Sequence, residues 1–332
     1  MLAGALPAAS LLAKPNSKFF GVQIGAITYS FRALPGSAEE TLKYCVQCGI
    51  SAIELMSNVP ESFAGSPAPA PAPAMGRGPG GPARGPSGPG GARPPGGGRM
   101  PMTPEQIEAR RKAAEAVTQW RLSAPMAKYK AFRKMYEDAG VKIYAFKLPP
   151  TLEMQDAEYE YIWNVAETLG ANHITMELPA DDRLLQRVAG YAAKRKLSIA
   201  FHTHGQGGAS GFERVLSASQ YTALNLDAGH YYGVTGESPV PVIEKYHDRI
   251  ASLHLKDRKG PASAGENRGP GGGGPNMPWG LGETPLKEIL QLMKKNKYKF
   301  PASIEYEYDT PAGSDVLAEM TKCVQYAKAA LA

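Results

Sequence analysis

Short apolar, β-branched runs recur along the chain, and most are followed by a stretch whose apolar residues fall at helical spacing. The runs are GVQIGAITYSF from Gly21, SAIELM from Ser51, VKIYAFKLP from Val141, NHITMELP from Asn172, LSIAFHTHG from Leu197, TALNLDAGH from Thr222, RIASLHLKD from Arg249 and PASIEYEY from Pro301. Helical spacing covers Ser37 to Cys48, Thr103 to Ala139, Ala157 to Leu169, Asp181 to Lys194, Pro285 to Lys297 and Val316 to Ala330. Ser37, with Glu40 three residues later, forms a capping box that opens the first of these. Eight strands alternating with helices predict an α/β fold, a closed (β/α)8 TIM barrel. A doubly wound sheet would carry a glycine-rich phosphate fingerprint after its first strand, where this chain reads TYSFRALPGS.

Two of the intervals are stretched, and each contains a low-complexity Gly/Pro-rich insertion, at 62–101 and at 259–278. Both follow strands, which places them at the carboxyl-terminal mouth of the barrel, where active-site loops belong. The 37 Gly and 29 Pro of the 332 residues are concentrated there, so the remainder has an ordinary globular composition. Residues 17–332 are expected to form a single barrel domain. The first insertion cannot make a core and is expected to be solvated and disordered.

The formal charge of +6 would suggest an anionic partner, so its location matters. Arg77, Arg84, Arg93 and Arg99 lie in the first insertion, with no acidic residue between Ser62 and Thr103. The folded part is therefore close to neutral, which argues against nucleic acid as a partner. Cys45, Cys48 and Cys323 are too few for a paired zinc motif, and CVQC falls late in a helix, where packed thiols are the expectation rather than redox chemistry. Residues 1–16 read as the remnant of an export signal, an apolar run ending before Lys14-Pro15, which implies a periplasmic or secreted protein and a cytoplasmic one otherwise. No stretch is long enough to span a membrane as a helix.

Catalytic residues of such barrels come from the carboxyl ends of the strands. Here those ends offer Glu54, Lys147, Glu177, His202 and His204, Asp227 and His230, His254 with Lys256 and Asp257, and Glu305 with Glu307. Alternation along a strand puts His202 and His204 on one face, and likewise His254 with Lys256 and Glu305 with Glu307. A lone His or Glu there would be structural. Consecutive strand ends carrying His, Asp, His and Glu are costly to bury unless they are paired or hold a cation. Mixed imidazole and carboxylate donors without thiolate favour Mn, Co, Mg or Zn.

The runs ASLHLKDRKG, PWGLGETPLKEIL and SIEYEY, together with LNLDAGH, resemble the last units of the xylose isomerase-like TIM barrels, the sugar phosphate isomerase/epimerase superfamily. The resemblance covers nearly the whole barrel from Gly21 onward and is weak for the substrate. It implies a metal set of Glu, Asp, His and Glu from the fifth to eighth strands. Asp227, His254 and Glu305 carry over, but the fifth strand offers FHTH where the family has Glu. Either His202 replaces that carboxylate or Glu177 reaches the ion from the fourth strand.

The activity implied is that of a divalent-metal-dependent sugar isomerase or epimerase, working by proton abstraction next to a carbonyl through an enediolate. Glu177 and Glu305 are the candidate bases, and His204 or Lys256 the donor to the developing oxyanion or leaving group. Lys256 reads equally as a salt bridge. His230 is a candidate ligand or partner of Asp227; His230, Lys147 and Trp279 are candidates for binding the sugar; and Tyr29 reads as barrel-wall packing ahead of a place in the same pocket. The absence of a clear phosphate cradle, together with export, points to an unphosphorylated carbohydrate. The alternative is a lyase or hydratase acting on 3-keto-glycosides or related keto-sugars. A non-catalytic sugar-binding barrel and an endonuclease IV-like phosphodiesterase rank below it. A homo-oligomer is expected from the resemblance alone.

Overall fold

The computed structural model describes residues 14–68, 103–204, 209–263 and 272–332. The expected disorder of most of the 62–101 insertion, the middle of the 259–278 loop and most of the export-signal segment lie outside them.

Eight parallel strands close on themselves. They are β1 Val22–Ile27, β2 Ala52–Met56, β3 Lys142–Lys147, β4 His173–Glu177, β5 Ser198–His202, β6 Thr222–Asp227, β7 Ile250–Leu255 and β8 Ala302–Ile304. Each pairs with its neighbour in the sequence, and β8 pairs with β1. The register sets Glu177 beside His202 and Asp227 beside His254, so the strand ends form one continuous rim.

The helices form the outer layer: α1 Ala38–Gln47, α2 Asn58–Ala64, α3 Pro104–Leu122, α4 Met126–Asp138, α5 Asp156–Leu169, α6 Asp182–Arg195, α7 Ala209–Ser217, α8 Ala228–Thr235, α9 Val240–Tyr246, α10 Leu286–Asn296 and α11 Val316–Leu331. The Ser37/Glu40 capping box that opens α1 is formed, with Glu40 N donating to Ser37 Oγ at 3.1 Å. Helical spacing from Thr103 to Ala139 does not make one helix. It breaks at 123–125, because Pro125 disfavours helical backbone in the residue before it. The insertion also begins later than Ser62, since α2 runs on to Ala64 and ends in left-handed Gly65. Between β5 and β7 the sequence signalled no helix, and the structure fills the interval with α7, α8 and α9, each of nine residues or fewer. Among the described residues no helix is long and apolar enough to cross a membrane.

One apolar core lies between helices and strands and includes Ile24, Phe146, Trp163, Phe201, Leu253 and Met320. The inside of the barrel is different. Its separate apolar cluster is small, Ala52, Tyr144 and Ala145, and polar side chains fill the rest. Gly25 makes room for the Tyr144 ring, since a Cβ there would stand 2.8 Å from Cε1. Cys45, Cys48 and Cys323 are buried free thiols, as packed thiols should be.

Candidate active site

Alternation along β2, β4, β6 and β7 sends Glu54, Thr175, Asn225 and His254 into the lumen, with Glu177, Asp227 and Lys256 one step nearer the mouth. Glu54, Thr175, Asn225 and His254 are all hydrogen-bonded. Glu54 accepts from Thr175 Oγ1 at 2.7 Å, from Asn225 Nδ2 at 3.0 Å and from His254 Nε2 at 2.7 Å. His254 donates its other proton from Nδ1 to Glu305 Oε2 at 2.8 Å, so both ring nitrogens face carboxylates. Burial opposes a charge on this ring, but Glu54 and Glu305 outweigh it and raise His254 to about 10.

Lys256 stands among three carboxylates, with Nζ 3.0 Å from Asp227, 2.8 Å from Glu305 and 2.6 Å from Glu307. Despite burial, these charges raise its pKa, and against its own burial Glu305 is held well below the carboxylate range by Lys256 and His254. Lys256 thus makes the carboxylate salt bridge that its sequence position allowed.

His202 is neutral for the opposite reason. Burial, with His254 and Lys147 nearby, lowers it to about 3. Its Nδ1 donates to Asn225 Oδ1 at 2.8 Å, which leaves the Nε2 lone pair open, 3.8 Å from Asp227 Oδ2. At the rim, Glu177 is half exposed and accepts from His204 Nε2 at 2.7 Å and from Lys147 Nζ at 3.0 Å. Burial pulls Glu177 upward, but His204 and Lys147 hold it far below its usual range; the same hydrogen bond raises His204.

His230 accepts at Nδ1 from Arg258 Nη1 at 2.5 Å. An arginine can only donate, so the His230 proton sits on Nε2, which points toward Asp227 and Glu307, both at 4.0 Å. Asp257 accepts three backbone N–H bonds from Gly280, Gly282 and Thr284 and so shapes the loop before α10. Trp279 meets Tyr326 of α11 edge-on at 5.7 Å, a packing contact. Tyr29 is 38% exposed beneath the Arg32 guanidinium, so it is no part of the barrel wall.

His202, Asp227, His254 and Glu305 each offer one ligand atom within 4.8 Å of the others. Asp227 Oδ2 is buried and stands 3.0 Å from the Lys256 ammonium, and His202 presents an open nitrogen beside it. The donor set and its spacing fit a divalent cation. Glu177 lies outside this set, committed to His204 and Lys147. His202, His204 and His230 also lie close together, but Arg258 occupies one nitrogen of His230.

Sequence reasoning gave no role to Glu54 and passed over Asn225, Thr175 and Arg258. Asn225 and Thr175 each stand two residues before a rim carboxylate, so the same alternation would have found them.

The model of the xylose isomerase-like TIM barrel family matches residues 99–325, more than half of the chain. The chain belongs to that family. Inosose dehydratase of Clostridium botulinum (strain Eklund 17B / Type B) is 30% identical over 156 residues, 43% of this chain and 51% of that protein. The chain thus spans about half the length of the curated relatives it matches. Among solved structures, the probable 3-DHS dehydratase AsbF from Bacillus anthracis superposes with a TM-score of 0.58 at 12% identity, covering 92% of this chain and 98% of that one. The 3-keto-D-glucoside 4-epimerase YcjR from E. coli superposes with a TM-score of 0.54 at 10% identity, covering 93% and 99%. At these identities the two structures establish the fold.

Proposed function

We propose that this family member is a lyase that removes water from a keto-sugar or keto-cyclitol, beginning with loss of the proton next to the carbonyl. The observation that carries the reading is the Glu177–His204 couple, an acid and a base joined by one hydrogen bond at the edge of a site suited to a divalent ion. His202, Asp227, His254 and Glu305 would hold that ion, which when bound polarises the carbonyl and acidifies the neighbouring carbon.

Glu177 takes the α-proton as that C–H bond breaks. His204 gives its Nε2 proton to the β-hydroxyl, the C–O bond breaks, water leaves and the C=C bond forms. Each transfer favours the other, because an imidazolium that loses its proton ceases to depress the carboxylate beside it. The proton gained by Glu177 then passes to His204 along their hydrogen bond, and the couple is reset. Acid and base stand side by side, so they serve one face of the substrate, as a syn elimination requires. Lys147 keeps Glu177 in place.

Support also comes from the likeness to inosose dehydratase, limited to about half of that protein. Epimerisation, which the family resemblance suggested first, is the second reading. It is favoured by Glu177 and Glu305 both standing at the mouth as carboxylates, but Glu305 is tied to His254 and Lys256.

The test is to incubate the Mn- or Co-loaded protein with inosose and with 3-keto-glycosides in D2O. Growth of enone absorbance with loss of water supports elimination. Deuterium at the α-carbon with inverted configuration and no enone supports epimerisation. Neither change with any keto-sugar would overturn the enzymatic reading and leave a sugar-binding barrel.

A further inference from the structure

Asn225 sits 0% exposed in the middle of the lumen and touches three other strands. Its Oδ1 accepts from His202 Nδ1 on β5 at 2.8 Å. Its Nδ2 donates to Glu54 Oε2 on β2, across the barrel, at 3.0 Å and to Ser252 Oγ on β7 at 2.7 Å. The amide orientation is fixed, because reversing it would set a carbonyl oxygen against the Glu54 carboxylate. Glu54 Oε2 in turn holds His254 Nε2 at 2.7 Å.

We infer that Asn225 is the positioning residue for both imidazoles of the candidate cation site. Through one side chain it directs His202 to present Nε2 and, by way of Glu54, directs His254 to present Nδ1 toward the same space. A buried amide suits this task better than a carboxylate, since it accepts on one side and donates on the other without adding charge. Ser252, which accepts from Asn225, stands 3.1 Å from His173 Nε2, so the amide is also braced from below. This inference rests on the metal reading of the site. Hydrogen-bond partners of ligand histidines commonly change metal affinity about 10- to 100-fold when removed.

The experiment compares wild type with Asn225→Leu and Asn225→Asp, measuring Mn and Co affinity by calorimetry, the Co visible spectrum, and thermal midpoints with and without metal. The expected result is a Kd weakened about 10-fold or more in Asn225→Leu, with a changed Co spectrum and a smaller metal-induced rise in midpoint. Asn225→Asp keeps the acceptor for His202 but loses the donor to Glu54, and is expected to fall between the two. A merely structural role predicts instead that the metal-free and metal-loaded midpoints fall together with Kd unchanged, and that result overturns the inference. If Asn225→Leu does not fold, an Asn225→Asp protein with wild-type Kd and spectrum overturns it equally. No metal uptake by wild type would refute the metal reading itself, a separate outcome from normal uptake by the variants.

Discussion

His204 owes its raised pKa first to the hydrogen bond it donates to Glu177. If His204 is the general acid, activity must fall as pH rises through that raised value, because the neutral imidazole has lost the proton to be delivered. Glu177→Gln removes the negative partner, so His204 returns toward its ordinary 6.5 and the alkaline limb of the pH–rate profile is expected to move to lower pH. The rate at the optimum should fall about 10²- to 10⁴-fold, since the base is lost as well. An alkaline limb that stays in place in this variant would remove His204 from the acid role. These rim residues were legible in the sequence because each ends a strand and alternation fixes its face. Asn225 and Glu54 were harder to place, since a polar residue one layer down looks like any polar residue until the far side of the barrel is known. Arg258 was hidden for another reason. Apart from His230, its partners are the backbone carbonyls of Gly272 and Gly274, and backbone acceptors leave no trace in side-chain composition.

Among the elements, α3 is unusual in burying no residue of its own. Besides Trp120, which meets Tyr161 edge-on at 6.2 Å, its attachment is an ionic cluster. Arg121, near its end, donates to Glu61 of α2 at 2.9 Å and lies 3.6 Å from Glu158 of α5, while Tyr161 donates to the same Glu61 oxygen at 2.9 Å. Removing one partner from such a buried cluster leaves the remaining charges uncompensated, at about 3–5 kcal/mol. In Glu61→Gln, hydrogen exchange over Pro104–Leu122 is expected to quicken while the barrel strands keep their protection. Uniform loss of protection would mean that α3 is integral to the barrel. Helical spacing alone did not separate α3 from α4, because both have polar faces and only Pro125 marks the break. The three short helices α7 to α9 were illegible for a related reason, since runs of seven to nine residues give too few turns for a period to emerge. The strands of the barrel were legible because short apolar, β-branched runs bounded by turns have few other readings.

The whole molecule carries its most strongly coupled charges along the barrel axis, and its stability should follow them. His254 is raised to about 10 in the folded chain against about 6.5 unfolded, so the metal-free protein has this contribution in full below pH 6.5 and loses it as pH rises toward 10. His202 and His173 are lowered to about 3 and about 4, so their contribution is lost as pH falls below 6.5. The thermal midpoint of the metal-free protein is therefore expected to peak near pH 6.5. Glu54→Gln should flatten the alkaline slope, because the first charge that raises His254 is gone. A midpoint that is level from pH 6.5 to 10 in the wild-type protein would contradict the doubly hydrogen-bonded His254.

The contrast between the apolar layer outside the strands and the ionic lumen inside them has a further consequence. The two are built from alternate residues of the same strands, so they share a backbone but hardly any side chains. Selection can then rewrite the inward set while the outward set goes on holding the fold. Evolutionary drift in chemistry and in architecture becomes separable at single-residue resolution, and a laboratory search for new activity would do best to vary every second position.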